Sequence, residues 1–194
     1  MAQATQNHIV NHIAIVGPES TGKSVMAKQL AQIYNGIYVE EYARMYLEQL
    51  DRNYNEQDLL LIAKQQLLLE EEALSIYKNN SNKLQPFIFY DTTLLVIKIW
   101  SEFKYGQCNA WILQMLKKRK YNLQLLMDID LPWEFDPIRE HPDKRQILLE
   151  RYQAELKKPH ANYHTVNGLE KERLQNAVAI INQQIELGVL INNG

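Results

Sequence analysis

Gly17-Pro18-Glu19-Ser20-Thr21-Gly22-Lys23-Ser24 is the stretch that decides the fold. It satisfies G-x-x-x-x-G-K-[ST] at every fixed position. Gly17 and Gly22 let the backbone curl so that successive N–H groups point inward. With the N-terminus of the helix that follows, those donors form a cradle for phosphate oxygens. Glu19, Ser20, Thr21 and Val25 complete the expected nucleotide-contacting set. Lys23 is placed to reach the β- and γ-phosphates, and the Ser24 hydroxyl to ligate Mg²⁺. The alternative, a Gly-rich turn that happens to carry a lysine, is disfavoured by context. His12–Val16 is a short apolar, β-rich run directly before the motif, and Thr21 or Gly22 to Tyr34 has helical spacing directly after it.

The same alternation continues outward. Gly36 stands where a helix C-terminus wants glycine, and Ile37–Val39 reads as a second strand. Asn55 caps a long helix with Glu56 and Asp58 in its first turn, running to about Tyr77. Pro86–Tyr90 is a third strand ending at Asp91, followed by helical segments near 93–103 and 110–120. Leu123–Met127 is a fourth strand ending at Asp128. A charged helix near 143–157, a fifth strand near 162–166 and an amphipathic helix near 169–187 complete the chain. Strands alternating with helices predict an α/β fold of the P-loop NTPase type: a five-stranded parallel sheet with helices on both faces and a lid segment.

In such a sheet, ligands sit beyond the carboxyl ends of the strands, and acidic residues occur there. Asp91 is placed to hold Mg²⁺ with Ser24, and alternatively to cap the next helix. Glu41, more than Glu40, is placed to accept a hydrogen bond or a proton from a substrate hydroxyl; the alternative is a solvated first helical turn. Asp128 either shapes the site or forms a turn. Between the fourth strand and the next helix, residues 130–145 carry three prolines, which prevent one continuous helix. Arg139 and Arg145 lie in this stretch. Transfer of a phosphoryl group builds charge and requires exclusion of water, and a closing lid with arginines serves both needs. Ordinary surface charge is the alternative. Trp133 either pins the lid or packs as a core aromatic.

The chain has 194 residues, with 46% hydrophobic, 23% charged and a formal net charge of −2. That suits one domain over 1–194, with frayed residues at 1–11 and at the C-terminus, and gives no general attraction to nucleic acid or membrane. The start is polar without an apolar targeting core, and no run approaches a membrane span. Cys108 is the single cysteine, so no internal disulfide forms, and a reducing cytoplasm is the expected compartment. Its thiol is read as a packing group rather than a reactive one. His8, His12, His141, His160 and His164 lack metal-ligand spacing. The long helix is read first as core and substrate-cavity wall, and second as a surface for a homo-oligomer.

With these residues in hand, the chain resembles the NadR-type nicotinamide riboside kinases, a group of P-loop kinase-like AAA ATPases. The phosphate loop resembles their Gly-x-Glu-Ser-[Ser/Thr]-Gly-Lys-Ser. Glu41-Tyr42-Ala43-Arg44 resembles their Glu-Tyr-x-Arg, and Tyr90-Asp91-Thr92-Thr93 stands where they have Asp-Thr-[Asp/Thr]. Tyr105-Gly106 resembles their Tyr-x-Gly region. Asp130-Leu131-Pro132-Trp133 and Asp136-Pro137-Ile138-Arg139 resemble their Asp-x-Pro-Trp and Asp-Gly-x-Arg lid motifs. Pro137 in place of the lid glycine and Thr93 in place of a second Asp are departures, the first bearing on hinge motion and the second on the substrate pocket.

The resemblance implies ATP and Mg²⁺ as cofactors and a nucleoside as substrate. It places Glu41, Tyr42 and Arg44 on the nucleoside side, with Trp100 and Tyr105 stacking on a nicotinamide ring. Lys23, Glu41, Asp91, Arg139 and Arg145 are the implied catalytic set, with either Glu41 or Asp91 as the base. Asn167-Gly168 is read either as a neighbour of adenine or as a simple turn. The chain lacks the His-x-Gly-His signature of the adenylyltransferase found in bifunctional relatives and has no room before Gly17 for their helix-turn-helix, so DNA binding is not expected. A kinase for another nucleoside, nucleotide or small metabolite, or a regulatory P-loop ATPase, are the rival expectations.

Overall fold

The computed structural model describes residues 9–80, 84–140, 142–158 and 161–191. The expectations for the first seven residues, for His8, His141 and His160, and for the last three residues lie outside them. Strand β1 (Asn11–Val16) leads through the phosphate loop to helix α1 (Lys23–Ile33), then to β2 (Ile37–Val39), α2 (Tyr42–Glu48) and α3 (Glu56–Asn80). β3 (Phe87–Asp91) is followed by α4 (Leu94–Tyr105) and α5 (Ala110–Lys118). β4 (Leu123–Met127) leads through the lid segment and a 3₁₀ turn (Pro142–Lys144) to α6 (Arg145–Leu156), β5 (Tyr163–Val166) and α7 (Glu170–Glu186).

All four strand pairings are parallel, in the order β2-β3-β1-β4-β5. The central strands are apolar on both faces because both are covered, as parallel sheets require. Ile13 and Ile15 of β1 face α1 and α7, packing with Leu30, Phe89, Leu125 and Ile181. Ala14 and Val16 face the other side, against Val96 and Ile99 of α4 and Leu148 and Tyr152 of α6. α3 packs outside α4 with α2 and α5 through Leu59, Ile62 and Ile112. Ala73 and Tyr77 of α3 reach Ile88 and Tyr90 on the sheet. All five strand ends therefore converge on one rim.

Several details differ from the sequence-based expectation. Asn11 opens β1 rather than lying in a frayed start: its side chain donates to the Ile191 carbonyl at 2.6 Å and accepts from the Ile191 N–H at 2.9 Å. Gly36 does not supply the left-handed residue that ends α1; Asn35 does, with φ 46. Glycine is needed at 36 for another reason, because a Cβ there would sit 2.6 Å from the Phe87 carbonyl oxygen. Asn55 does cap α3, its Oδ1 accepting from the backbone of Gln57 (2.8 Å) and Asp58 (3.2 Å), but the helix continues to Asn80. The short helix α2 appears in the sequence-based reading only as the helical-turn alternative for Glu41.

Candidate nucleotide and acceptor site

The phosphate loop is built by backbone conformation. Gly17 has φ 142 and lies so close to β4 that a Cβ would stand 2.9 Å from the Met127 carbonyl oxygen. Gly22 has φ 75, and Ser20 also takes positive φ, at 55. The resulting curl brings Lys23 Nζ within 2.8 Å of the Pro18 carbonyl oxygen, which also accepts from Thr21 Oγ1 at 2.8 Å. Glu19 is buried at the loop's crest and its Oε1 accepts from the Glu140 N–H of the lid at 3.4 Å.

Ser24 and Asp91 meet below the loop. Asp91 is buried, its Oδ2 accepts from Tyr38 Oη at 3.3 Å, and the Ser24 hydroxyl bonds the same carboxylate. Burial lifts its carboxyl above the ordinary carboxylate range, against the stabilising Ser24 hydroxyl and Lys23 ammonium. Asp91 Oδ1 is buried without a hydrogen-bond partner. A buried carboxylate oxygen so placed, beside a serine hydroxyl at a phosphate loop, has the hard oxygen-donor character that suits Mg²⁺.

Glu41 approaches from the end of β2. It is the N-cap residue of α2, yet its side chain does not cap. Gln66 of α3 takes over that duty: its Oε1 accepts from the Tyr42 N–H at 2.9 Å and its Nε2 donates to the Glu40 carbonyl at 3.1 Å. The Glu41 carboxylate instead accepts from Thr92 Oγ1 at 3.1 Å. Burial raises its pKa, the Lys23 ammonium opposes this, and the Asp91 carboxylate adds to it.

The lid packs over the loop. Arg139 Nη1 donates to the Glu134 carbonyl at 2.6 Å and to Ser20 Oγ at 3.3 Å. Arg145 donates to the Leu131 carbonyl at 2.8 Å and to the Ser20 carbonyl at 3.1 Å, a strut between α6 and the loop rather than a cavity residue. Arg44 of α2 pairs with Asp136 of the lid at 2.7 Å. Lys104 and Tyr54 both hold Glu140, at 2.9 and 2.7 Å.

One cavity of about 550 Å³ runs beneath this lid. Glu19 to Val25, Glu41, Arg44, Trp100 and Arg139 line it, with Gln29 of α1 and Glu170, Lys171 and Arg173 of α7. Asp91 is buried and is not among its lining residues. Tyr42 and Tyr105 are not among its lining residues: the Tyr42 ring packs with Tyr46, and the Tyr105 hydroxyl donates to the Tyr54 carbonyl at 2.9 Å. Trp100 stacks with Tyr54 at 6.3 Å between centroids. Asp128 Oδ1 accepts from the Ile129 N–H at 2.8 Å, the turn-forming alternative for this residue. Thr93, the departure from a second Asp, caps α4 by accepting from the Leu95 N–H.

Like Gln66, Arg173 is a residue that sequence reasoning missed. It is 4% exposed and donates to the carbonyls of Thr21 (3.1 Å), Asp128 (2.8 Å) and Gly168 (3.1 Å), and it pairs with Asp130. Asp130 in turn accepts from the Gly168 N–H at 2.6 Å. An arginine within an amphipathic helix reads as surface charge, so only the tertiary fold exposes this role. Among the described residues there is no helix long and apolar enough to cross a membrane and no metal-holding cluster of three or more His, Cys, Asp or Glu.

Residues 12–173 match the family model described as AAA domain. The trifunctional NAD biosynthesis/regulator protein NadR of Salmonella typhimurium is 24% identical over 136 residues, covering 67% of this chain and 31% of that protein. The Escherichia coli NadR gives the same figures. The chain thus spans about a third of the length of the curated relatives it matches. A solved structure of NadR protein in complex with NR superposes with a TM-score of 0.65 at 19% identity, covering 91% of this chain and 52% of that one. Thymidylate kinase from Ehrlichia chaffeensis superposes with a TM-score of 0.60 at 14% identity, covering 90% and 98%. At these identities the superpositions establish the fold.

Proposed function

The chain belongs to the AAA domain family, and from that premise we propose that it moves the γ-phosphoryl group of ATP to the 5′-hydroxyl of nicotinamide riboside, giving ADP and nicotinamide mononucleotide. One observation carries this reading: a single cavity joins the phosphate loop to Glu41, Arg44 and Trp100 under a lid bearing Arg139. A switch or motor needs the first part; phosphorylation of a small acceptor needs both within reach. The similarity to NadR at 24% identity supports the choice of acceptor.

In this mechanism the backbone donors of residues 19–24 hold the β- and γ-phosphates, and Lys23 leaves the Pro18 carbonyl to pair with them. Ser24 and Asp91 would hold Mg²⁺, which would supply positive charge to offset that of the phosphates. Glu41 orients the acceptor hydroxyl and takes its proton, and its burial strengthens the carboxylate's hold on that proton. Arg139 turns from the Glu134 carbonyl to the transferring group. Arg44 and Trp100 contact the nucleoside, the indole face being suited to a cationic pyridinium ring.

The test is ADP release from ATP and Mg²⁺ with and without a nucleoside panel led by nicotinamide riboside. A large stimulation by that nucleoside with nicotinamide mononucleotide formed is the expected result. Stimulation by a different acceptor keeps the kinase and replaces the substrate. Absence of stimulation by every acceptor overturns the kinase reading in favour of a regulatory ATPase.

A further inference from the structure

The turn after β3 carries a side chain where glycine would be unstrained. Thr92 has φ 74 and is 1% exposed. A left-handed φ is costly for a β-branched residue because its Cβ substituents crowd the neighbouring peptide. The other described non-glycine residues with positive φ are Ser20, Asn35 and Glu170, none of them β-branched. At the same rim, Gly17 and Gly22 take positive φ, so glycine serves where a turn asks only for backbone freedom. Strain of this kind persists where the surroundings over-determine it.

The surroundings here are specific. The Thr92 N–H donates to the Ile15 carbonyl at 3.3 Å, which ties the backbone to β1. Its hydroxyl donates to Glu41 Oε1 at 3.1 Å. Helix capping is left to Thr93, one residue on. On the other side of the contact, Gln66 satisfies the start of α2, so the Glu41 carboxylate is free of local duties and lines the cavity. The two arrangements converge on one pair of atoms.

We propose that Thr92 is a positioning residue for phosphoryl transfer: its strained backbone and buried hydroxyl fix the Glu41 carboxylate at the angle from which it meets the acceptor hydroxyl. The proposal rests on the kinase reading above. A glutamate has three side-chain torsions, and a carboxylate held in advance does not have to be ordered at the moment of reaction.

Thr92→Val keeps the shape and removes the donor; Thr92→Ser keeps the donor. Each is measured for kcat and KM with acceptor and ATP, and for Tm alone and combined with Glu41→Ala. Thr92→Val is expected to lower kcat about 100-fold with the KM for ATP unchanged, and Thr92→Ser to recover most of that loss. The Tm shifts of Thr92→Val and Glu41→Ala are expected to be non-additive, because the two side chains share one contact. A full kcat in Thr92→Val, or equal losses in Val and Ser, overturns the proposal. Where the wild type turns over no acceptor, the kinase reading fails by itself, and the stability cycle decides Thr92 separately: additive Tm shifts overturn it.

Discussion

The Lys23 ammonium donates to the Pro18 carbonyl oxygen across 2.8 Å, inside its own loop. The cation is therefore already at the cradle, and incoming phosphates need only replace one carbonyl. Removing it leaves the backbone cradle but takes away charge that grows in importance as the phosphoryl group moves. Lys23→Ala is expected to lower turnover by about 10²–10³-fold with an unchanged circular dichroism spectrum. Normal turnover in a well-folded Lys23→Ala protein would contradict the mechanism.

Gly17 is intolerant of a side chain for two separate reasons, its φ of 142 and the Met127 carbonyl oxygen 2.9 Å from the site of a Cβ. Gly17→Ala is expected to destabilise by about 3 kcal/mol and to lose ATP binding. A thermal melt and a nucleotide titration check it. Gly188, where a Cβ meets nothing within 4 Å, is the control for backbone strain without a clash.

Asp136 holds Arg44 at 2.7 Å, linking the lid to α2. Arg44 is 41% exposed at its side chain, so the pair contributes little to global stability. Asp136→Asn is expected to move Tm by under about 2 °C and to change the acceptor KM several-fold, because the lid loses its hold on a residue proposed to contact the nucleoside. Steady-state kinetics with varied acceptor separates this from an effect on ATP.

Arg173 is buried with three carbonyl partners and Asp130. Arg173→Ala leaves Asp130 and those carbonyls without their shared donor, with an expected loss of about 3–5 kcal/mol. Arg173→Lys is expected to recover little, since one ammonium cannot span the same acceptors. Denaturant melts of both variants provide the measurement.

Two buried groups away from the cavity titrate in opposite senses. Glu70 is pushed up to about 7 by burial, against the Arg119 guanidinium and the Tyr121 hydroxyl, with Glu71 adding to the rise. His12 is lowered to about 4 by burial, with Arg119 adding to it. A raised carboxyl binds its proton more tightly in the folded state, so the Glu70 contribution is full at low pH and declines as pH rises from about 4.5 through 7. A lowered imidazole does the reverse: the His12 contribution is full above 6.5 and declines as pH falls toward 4. The two slopes oppose each other between about 4.5 and 6.5. Glu70→Gln removes the falling one, so its Tm is expected to rise more steeply with pH across that window than the wild-type Tm.

The sheet was legible because strand-length apolar runs and the phosphate loop report local physics. β2 and β4 fall at the expected residues. α2 was not legible, because its start is capped from another helix, by Gln66, and no Ser, Thr, Asp or Asn marks its beginning in the sequence. Residues of the site that sit in the loop motif or at strand ends could be named in advance. Gln66 and Arg173 could not, and Thr92 could be named only as a motif position without its role, since each acts on a partner at least 24 positions away and their residue types carry no signal on their own. Tyr42 and Tyr105 show the converse: adjacency to a motif does not say which way a ring turns.

Arg173 also bears on the continuity of the chain. The guanidinium that braces the Thr21 carbonyl belongs to the last described helix, whereas the cradle it braces follows the first strand. The brace therefore joins two segments 152 positions apart, and a chain interrupted between β5 and α7 would carry the full phosphate-loop motif without the contact that steadies its Thr21 carbonyl.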